Sequence, residues 1–388
     1  VREELLSKQF VLMLLVQFSF GLAYSTFFLL PKYLSRELHA SAAAIGTIAS
    51  LALLSGVCAV PLIGAALDMR RLRVFMVSGA LVNGLSAYAF AQVHAIGPTM
   101  YALRIINGIS YALVFNANVT LATNLSPPHK LARAIGLCGA ASMVSNAVAP
   151  WVAENLAESY GWQLVFELAA ASALVAALFS LGVREPERGQ SATPAASDAE
   201  SPSALRIALE PARRGAFIGG AAAGAAFGVM FTFTQPYALA LGATRVSGFF
   251  LGFTSCALIV RLFFGGLADH FGRQRVSFLA LSGYGAVVAM TAFLRYPWLP
   301  VLGAGLGFAH GLLYPALNAL AVQEVPPARR GGLITYFGGA FNSGFALCVF
   351  GFGFVAKAYG YPIVFLLCAA LVGLALLGMP RPMRGVRV

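Results

Sequence analysis

The chain has 388 residues, 59% hydrophobic and 10% charged, with a formal net charge of +12. A soluble globular protein is about one-quarter charged, so this composition excludes an ordinary soluble fold and points to an integral membrane protein. The basic excess would suggest nucleic acid in a soluble chain, but here it sits between apolar runs, where it sets orientation in a membrane.

Membrane helices need about 20 mostly apolar residues. Twelve such runs are read in chain order, near 10–34, 42–67, 74–93, 99–125, 133–155, 163–183, 215–241, 247–268, 276–295, 298–322, 332–357 and 363–380. Pro and Gly within them do not count against helix, because membrane helices tolerate both. The first run is too long for the apolar core of a signal peptide, so no cleavable signal is expected. With both termini cytoplasmic, 19 of the 26 Lys and Arg residues fall on the cytoplasmic side and 5 outside, with Arg104 and Arg261 inside helices. That asymmetry sets the expected topology. The stretch 184–214 contains EPERGQSATPAASDAESPS. It reads as a flexible linker, with a short surface helix expected over Ala204–Arg214. It divides the chain into halves at 1–183 and 215–388.

The halves repeat. Asp68 and Asp269, Pro127-Pro128 and Pro326-Pro327, and Gly161…Phe166 and Gly360…Phe365 all recur about 200 residues apart. Runs six, nine and twelve are almost wholly apolar, as helices facing lipid should be. Runs one, four, seven and ten carry polar stripes, as cavity-lining helices should. The five cysteines all lie in apolar runs and read as packing residues rather than a disulfide or metal set.

The tight polar turn in Arg261–Arg275, RLFFGGLADHFGRQR, joins two apolar runs. Its pattern of Gly265, Asp269, Gly272, Arg273 and Arg275 resembles the signature loop of the major facilitator superfamily (MFS), of general bacterial MFS-1 type. A weaker copy, GAALDMRRLR, keeps Gly64 and Asp68 but places Arg71 where the family has Gly. The resemblance covers essentially the whole chain. It implies an all-α integral membrane fold of twelve helices in two pseudo-symmetric six-helix halves, with substrate near the midplane. It also implies a cytoplasmic gate built from Gly64, Asp68, Gly265, Asp269, Gly272 and Arg273.

Arg104-Ile-Ile-Asn107-Gly108 resembles the family's Arg-x-x-x-Gly motif, which proton-coupled members often show. A charge inside a membrane helix costs at least ~2.5–3.5 kcal/mol and usually faces a cavity or partner. For Arg104, near the outer end of its run, the alternative is snorkelling to the surface. Asn107, Tyr111 and Asn118 continue its face. Arg261 lies about 12 Å deeper than Asp269. It is similar to the substrate-binding arginine of monocarboxylate and oxalate transporters, although exporters of other specificity carry one too. It either contacts substrate or supports the gate. His310, Tyr314 and Asn318 are spaced i, i+4, i+8. His310 is either a proton-coupling group or a neutral hydrogen-bond partner between helices. Gln17, Tyr24, Gln235 and Asn342 complete the expected lining. Ala149-Pro150 keeps only the Pro of the family's antiporter Gly-Pro motif.

No Asp or Glu is read deep in any helix, with Glu154 and Glu167 placed within about one turn of the outer ends. Pumps for cationic drugs need a buried carboxylate, so two buried arginines favour an anion that guanidinium groups can grip bidentately. No nucleotide-binding Gly-x-x-x-x-Gly-Lys-Ser/Thr run occurs, and no residue set has metal-ligand spacing. The expected function is secondary transport of a small carboxylate-like anion by alternating access, with the proton as coupling ion. No cofactor, enzymatic activity or nucleic-acid partner is expected, and the expected state is a monomer in the inner membrane. The rivals are a proton-driven exporter of drug-like or sugar-like compounds and, from another class, a non-transporting sensor or scaffold.

Overall fold

A computed structural model describes residues 7–69, 72–126, 131–185, 204–208, 210–264, 266–325 and 327–379. Among these residues every regular element is helical. In the first part of the chain lie α1 (Lys8–Ser25), a 3₁₀ turn (Thr26–Leu29), α2 (Leu30–Arg36), α3 (Ala42–Met69), α4 (Leu72–Ala91), α5 (Pro98–Asn124), α6 (Leu131–Tyr160) and α7 (Trp162–Gly182). Then come α8 (Ala204–Ala208), α9 (Pro211–Ala240), α10 (Ser247–Phe264), α11 (Leu267–Phe271), α12 (Arg273–Thr291), α13 (Leu299–Ala321), α14 (Pro327–Tyr359) and α15 (Tyr361–Leu377). Nine stretches among the described residues are long and apolar enough to cross a membrane. Polar residues lower the apolar content of α6 and the start of α12, and α15 is short.

Three features differ from the sequence reading. The first run is not one helix. Pro31 cannot donate a backbone hydrogen bond and its ring clashes with the preceding turn, so the chain tightens into the 3₁₀ turn before α2. The fifth run continues to Tyr160 rather than 155, which places Glu154 well inside a helix. The expected surface helix is only Ala204–Ala208, and α9 starts at Pro211. Residues 186–203 and 209 of the expected linker lie outside the described residues.

The chain forms two compact units, Val1–Ala40 with Leu51–Ala192, and Ser41–Ser50 with Thr193–Val388. In the first, α4 packs on α5 and α7, and α1 packs on α6 and α7. In the second, α12 packs on α13 and α15, and α9 packs on α14 and α15. The repeat extends to single side chains. Tyr33 donates its hydroxyl to the Val93 carbonyl (3.2 Å), its ring lying 5.2 Å from both Trp162 and Phe166. Tyr237 does the same to the Ala292 carbonyl (3.0 Å), beside Tyr361 (5.9 Å) and Phe365 (5.8 Å). Each half turns into its last long helix through a single glycine, Gly161 (φ 86°) or Gly360 (φ 83°), a conformation that a Cβ opposes.

Large apolar side chains stay exposed on the last helix of each unit, among them Leu168, Leu174, Leu178 and Leu181 on α7 and Leu366, Leu367, Leu374 and Leu377 on α15. Such faces suit lipid. With lipid as apolar as leucine, helix association rests on close packing and interhelical hydrogen bonds. Tyr237→Phe, which keeps the ring and deletes one bond, is therefore expected to cost about 0.5–1.5 kcal/mol. Thermal unfolding in detergent measures this, and no loss would show that the hydroxyl contributes nothing.

Candidate functional site

On α5, Arg104 is buried, with 6% exposure, while Ile105, Ile106 and Ile109 are exposed. The arginine therefore does not snorkel. Its Nη1 donates to Asn107 Oδ1 (2.9 Å), and its guanidinium carbon lies 5.4 Å from the centre of the Phe27 ring, within cation–π range. Tyr24 is within electrostatic reach of Arg104. The Tyr24 ring stacks on Tyr111 (3.9 Å), and Tyr111 in turn stacks on Phe115 (5.5 Å) and Phe20 (6.2 Å). Thus Tyr24 of α1 meets Arg104 and Tyr111 of α5, with Asn107 bonded to the arginine. Gly108, the last residue of the Arg-x-x-x-Gly pattern, has a packing task. A Cβ there would collide with the Ala52 carbonyl and the Ser55 hydroxyl of α3.

Asn83 on α4 was missed as a lone polar residue in an apolar run. Its Nδ2 donates to Ser110 Oγ (3.0 Å), and Ser110 Oγ donates to the Asn107 carbonyl (3.0 Å). Asn83 Oδ1 and Asn107 Nδ2 are buried without a protein partner, as is Asn118 Oδ1.

Gln17 belongs to a separate arrangement. It accepts from Asn118 Nδ2 (2.5 Å) and donates to Ser142 Oγ (2.5 Å). Further along the same α1–α6 contact, Ser145 Oγ donates to the Phe18 carbonyl (2.9 Å) and Ser25 Oγ to Asn146 Oδ1 (2.6 Å). At its end Lys32 Nζ meets Glu154 Oε1 at 2.6 Å and Glu158 Oε1 at 3.7 Å. The Lys32 and Glu154 side chains are 3% and 1% exposed. This buried ion pair was not anticipated: α6 extends past Glu154 to Tyr160, and α2 brings Lys32 onto it.

In the second unit His310 sits on α13 among the rings of Phe227 (5.2 Å), Phe253 (5.4 Å), Tyr314 (5.7 Å), Phe341 (6.1 Å) and Tyr284 (6.1 Å). Its Nδ1 is 3.3 Å from the Tyr284 hydroxyl. This α12–α13 link falls about 200 residues after the Asn83–Ser110 link, so the two halves use equivalent positions. Arg261, half-buried on α10, lies within electrostatic reach of Tyr314 and His310. Gln235 is buried on α9 and donates to the Phe231 carbonyl of its own helix (2.6 Å). Asn318 and Asn342 are half-buried on α13 and α14. The aromatic shell around His310 was not anticipated. Its rings come from α9, α10, α12, α13 and α14, so no single-helix spacing could reveal it.

Of the expected gate, Gly272 has φ 87° and caps α12, which begins at Arg273. Gly265, the surroundings of Gly64 and the side chains of Asp68 and Asp269 lie outside the described residues. No metal-ligating cluster occurs among the described residues, and Cys58, Cys138, Cys256, Cys348 and Cys368 are free thiols.

A sequence model described as Major Facilitator Superfamily matches residues 13–261 and again 246–385. An uncharacterized MFS-type transporter of Burkholderia mallei (strain SAVP1) is 28% identical over 360 residues, covering 89% of this chain and 84% of that one. A similarly described protein of Burkholderia pseudomallei (strain K96243) gives the same figures. Among solved structures, a mutant of the nucleoside transporter NupG superposes with a TM-score of 0.81 at 15% identity, over 96% of this chain and 99% of that chain. A bacterial homologue of the human lysosomal transporter Spinster, inward-facing and unoccupied, gives 0.76 at 16% identity, over 98% and 97%. At such identities the structural likeness establishes the fold alone.

Proposed function

The chain belongs to the Major Facilitator Superfamily, and from that premise we propose that it carries a small carboxylate-like anion across the inner membrane by proton-coupled alternating access. Membership makes it an integral, multi-pass secondary transporter and not an enzyme. The observation that carries the anion reading is that each half sets an arginine beside aromatic rings. Arg104 lies beside Phe27 and Tyr24, and Arg261 beside Tyr314. The buried Glu154 does not reverse this electrostatic sign, because Lys32 sits on it.

In this reading Arg104 and Arg261 grip the substrate charge. Asn107, Tyr111, Tyr24, Gln17, Gln235, Tyr314, Asn318 and Asn342 shape the rest of the site. Asn107 Nδ2 has no protein partner. Leaving such a buried group unsatisfied costs about 1–3 kcal/mol, which a substrate oxygen would recover. His310 is the proton-coupling candidate of the second half. Gly64, Asp68, Gly265, Asp269, Gly272 and Arg273 form the cytoplasmic gate. The chain acts as a monomer with both termini cytoplasmic, its halves 1–183 and 215–388 joined by the linker 184–214.

A second reading, an exporter of drug-like or sugar-like compounds, draws on the aromatic ladder Phe20–Tyr111–Tyr24, which suits ring stacking. Thermal-shift measurements on purified protein separate the two. The anion reading expects stabilisation by one or more of a panel of carboxylates, reduced in Arg104→Gln. Stabilisation by lipophilic cations or neutral sugars alone would refute it.

A further inference from the structure

We propose that Lys32, Glu154 and Glu158 form a proton-binding site in the first half, and that protonation of Glu154 loosens the tie between α2 and α6. The proposal rests on the reading of the chain as proton-coupled.

The three side chains make a graded site. Glu154 is fully enclosed against Lys32, whereas the Glu158 side chain is 31% exposed one turn further along α6. The inner carboxylate thus lies next to one that meets solvent. Fully ionised, the triad carries a net single negative charge. One proton, taken from water onto a carboxylate oxygen of Glu154, makes it neutral. The 2.6 Å ion pair with Glu154 is then lost, and only the 3.7 Å contact of Lys32 with Glu158 remains. Charged groups inside a membrane protein are costly and usually functional, and a buried ion pair is not needed for stability as such.

The second half supplies an internal control. Counting from the matched turns at Gly161 and Gly360, the α6 residues Ser142, Asn146 and Glu154 correspond to Phe341, Phe345 and Gly353 on α14. The α9–α14 contact is built from Gly224 against Phe341 and Gly228 against Phe345. At these three matched positions the second half carries no polar side chain. The tyrosine clasp, by contrast, is present in both halves. The ion triad is an addition to one half.

Its position gives it something to move. The 3₁₀ turn Thr26–Leu29 separates α2 from α1, and Lys32 ties α2 to α6. Other charged groups on the elements packed nearby are engaged elsewhere. Glu37 accepts from Trp162 Nε1, Glu167 from Gln163, and Arg104 is held by Asn107. Arg36 is exposed at the end of α2.

Infrared difference spectra of vesicle-embedded protein, acidified from about pH 8 to about pH 5, test proton binding without any substrate. The wild type should gain a buried carboxylic-acid carbonyl band that E154Q/E158Q lacks. The same band in the variant, or none in the wild type, overturns the proposal. For a solute found by the thermal-shift panel, E154Q/E158Q should lose about tenfold or more of its pH-gradient-driven accumulation while retaining solute exchange. Wild-type accumulation would again overturn the proposal. Should E154Q/E158Q misfold, K32Q/E154Q, neutral at both positions, replaces it in both measurements. Failure of every carboxylate in the panel would sink the anion reading and leave the infrared result decisive on its own.

Discussion

Arg261→Gln is expected to weaken binding of the transported carboxylate by roughly 10- to 150-fold, the equivalent of about 1.5–3 kcal/mol for a hydrogen bond to a charged group. Gln keeps a donor on a shorter side chain and removes the charge and the second arm of the fork. Arg261→Lys restores charge without the planar fork, so it should fall between Gln and wild type. Arg261 is half-buried beside Tyr314 on α10, so a purely supporting role is the alternative to a binding one. The two separate in a single pair of measurements. A binding role leaves the melting temperature of the unliganded protein near wild type while substrate affinity drops. A supporting role lowers the melting temperature and leaves affinity per folded molecule intact. Full transport by Arg261→Gln would remove Arg261 from the site.

Lys32→Met is expected to destabilise the protein by about 3–5 kcal/mol, because removing one partner strands the other as a buried charge. Glu154 lies 2.6 Å from Lys32 Nζ and is 1% exposed, so it has little access to water. The double replacement Lys32→Met with Glu154→Met should recover most of that loss, since apolar residues of similar volume often replace a buried pair at little cost. Denaturation in mixed detergent compares both variants with the wild type. If the double variant is as unstable as the single one, the cost lies in packing and not in charge. If Lys32→Met is neutral, the pair contributes nothing to the folded state.

These two predictions rest on residues of different legibility. Arg261 and Arg104 could be found in the sequence because a charge within an apolar run stands out and has few structural explanations. His310, Tyr314 and Asn318 were visible through helical spacing, and the matched glycines at 161 and 360 announced the repeat. The Lys32–Glu154 pair was not anticipated because both residues lie near the ends of apolar runs, where a charge ordinarily meets water. Pro31 carried the missing signal. Once the chain must break at Thr26–Leu29, the short helix after it is free to fold Lys32 inward. The Ser25–Asn146 and Gln17–Ser142 bonds join residues more than 100 positions apart. They follow from the packing of α1 on α6 and not from any local pattern. The aromatic shell of His310, drawn from five helices, was hidden for the same reason. The single polar residues Asn83 and Tyr284 stood within apolar runs, and only the α4–α5 and α12–α13 contacts show that they link equivalent positions in the two halves.

The central claim, that the transported solute is a small anion driven by protons, is tested most directly by uptake into vesicles containing the purified protein. Radiolabelled carboxylates and lipophilic cations are compared with and without an imposed pH gradient. The account predicts gradient-dependent movement of at least one carboxylate, diminished in Arg261→Gln, and no movement of the cations. Transport of cations with none of carboxylates would contradict it.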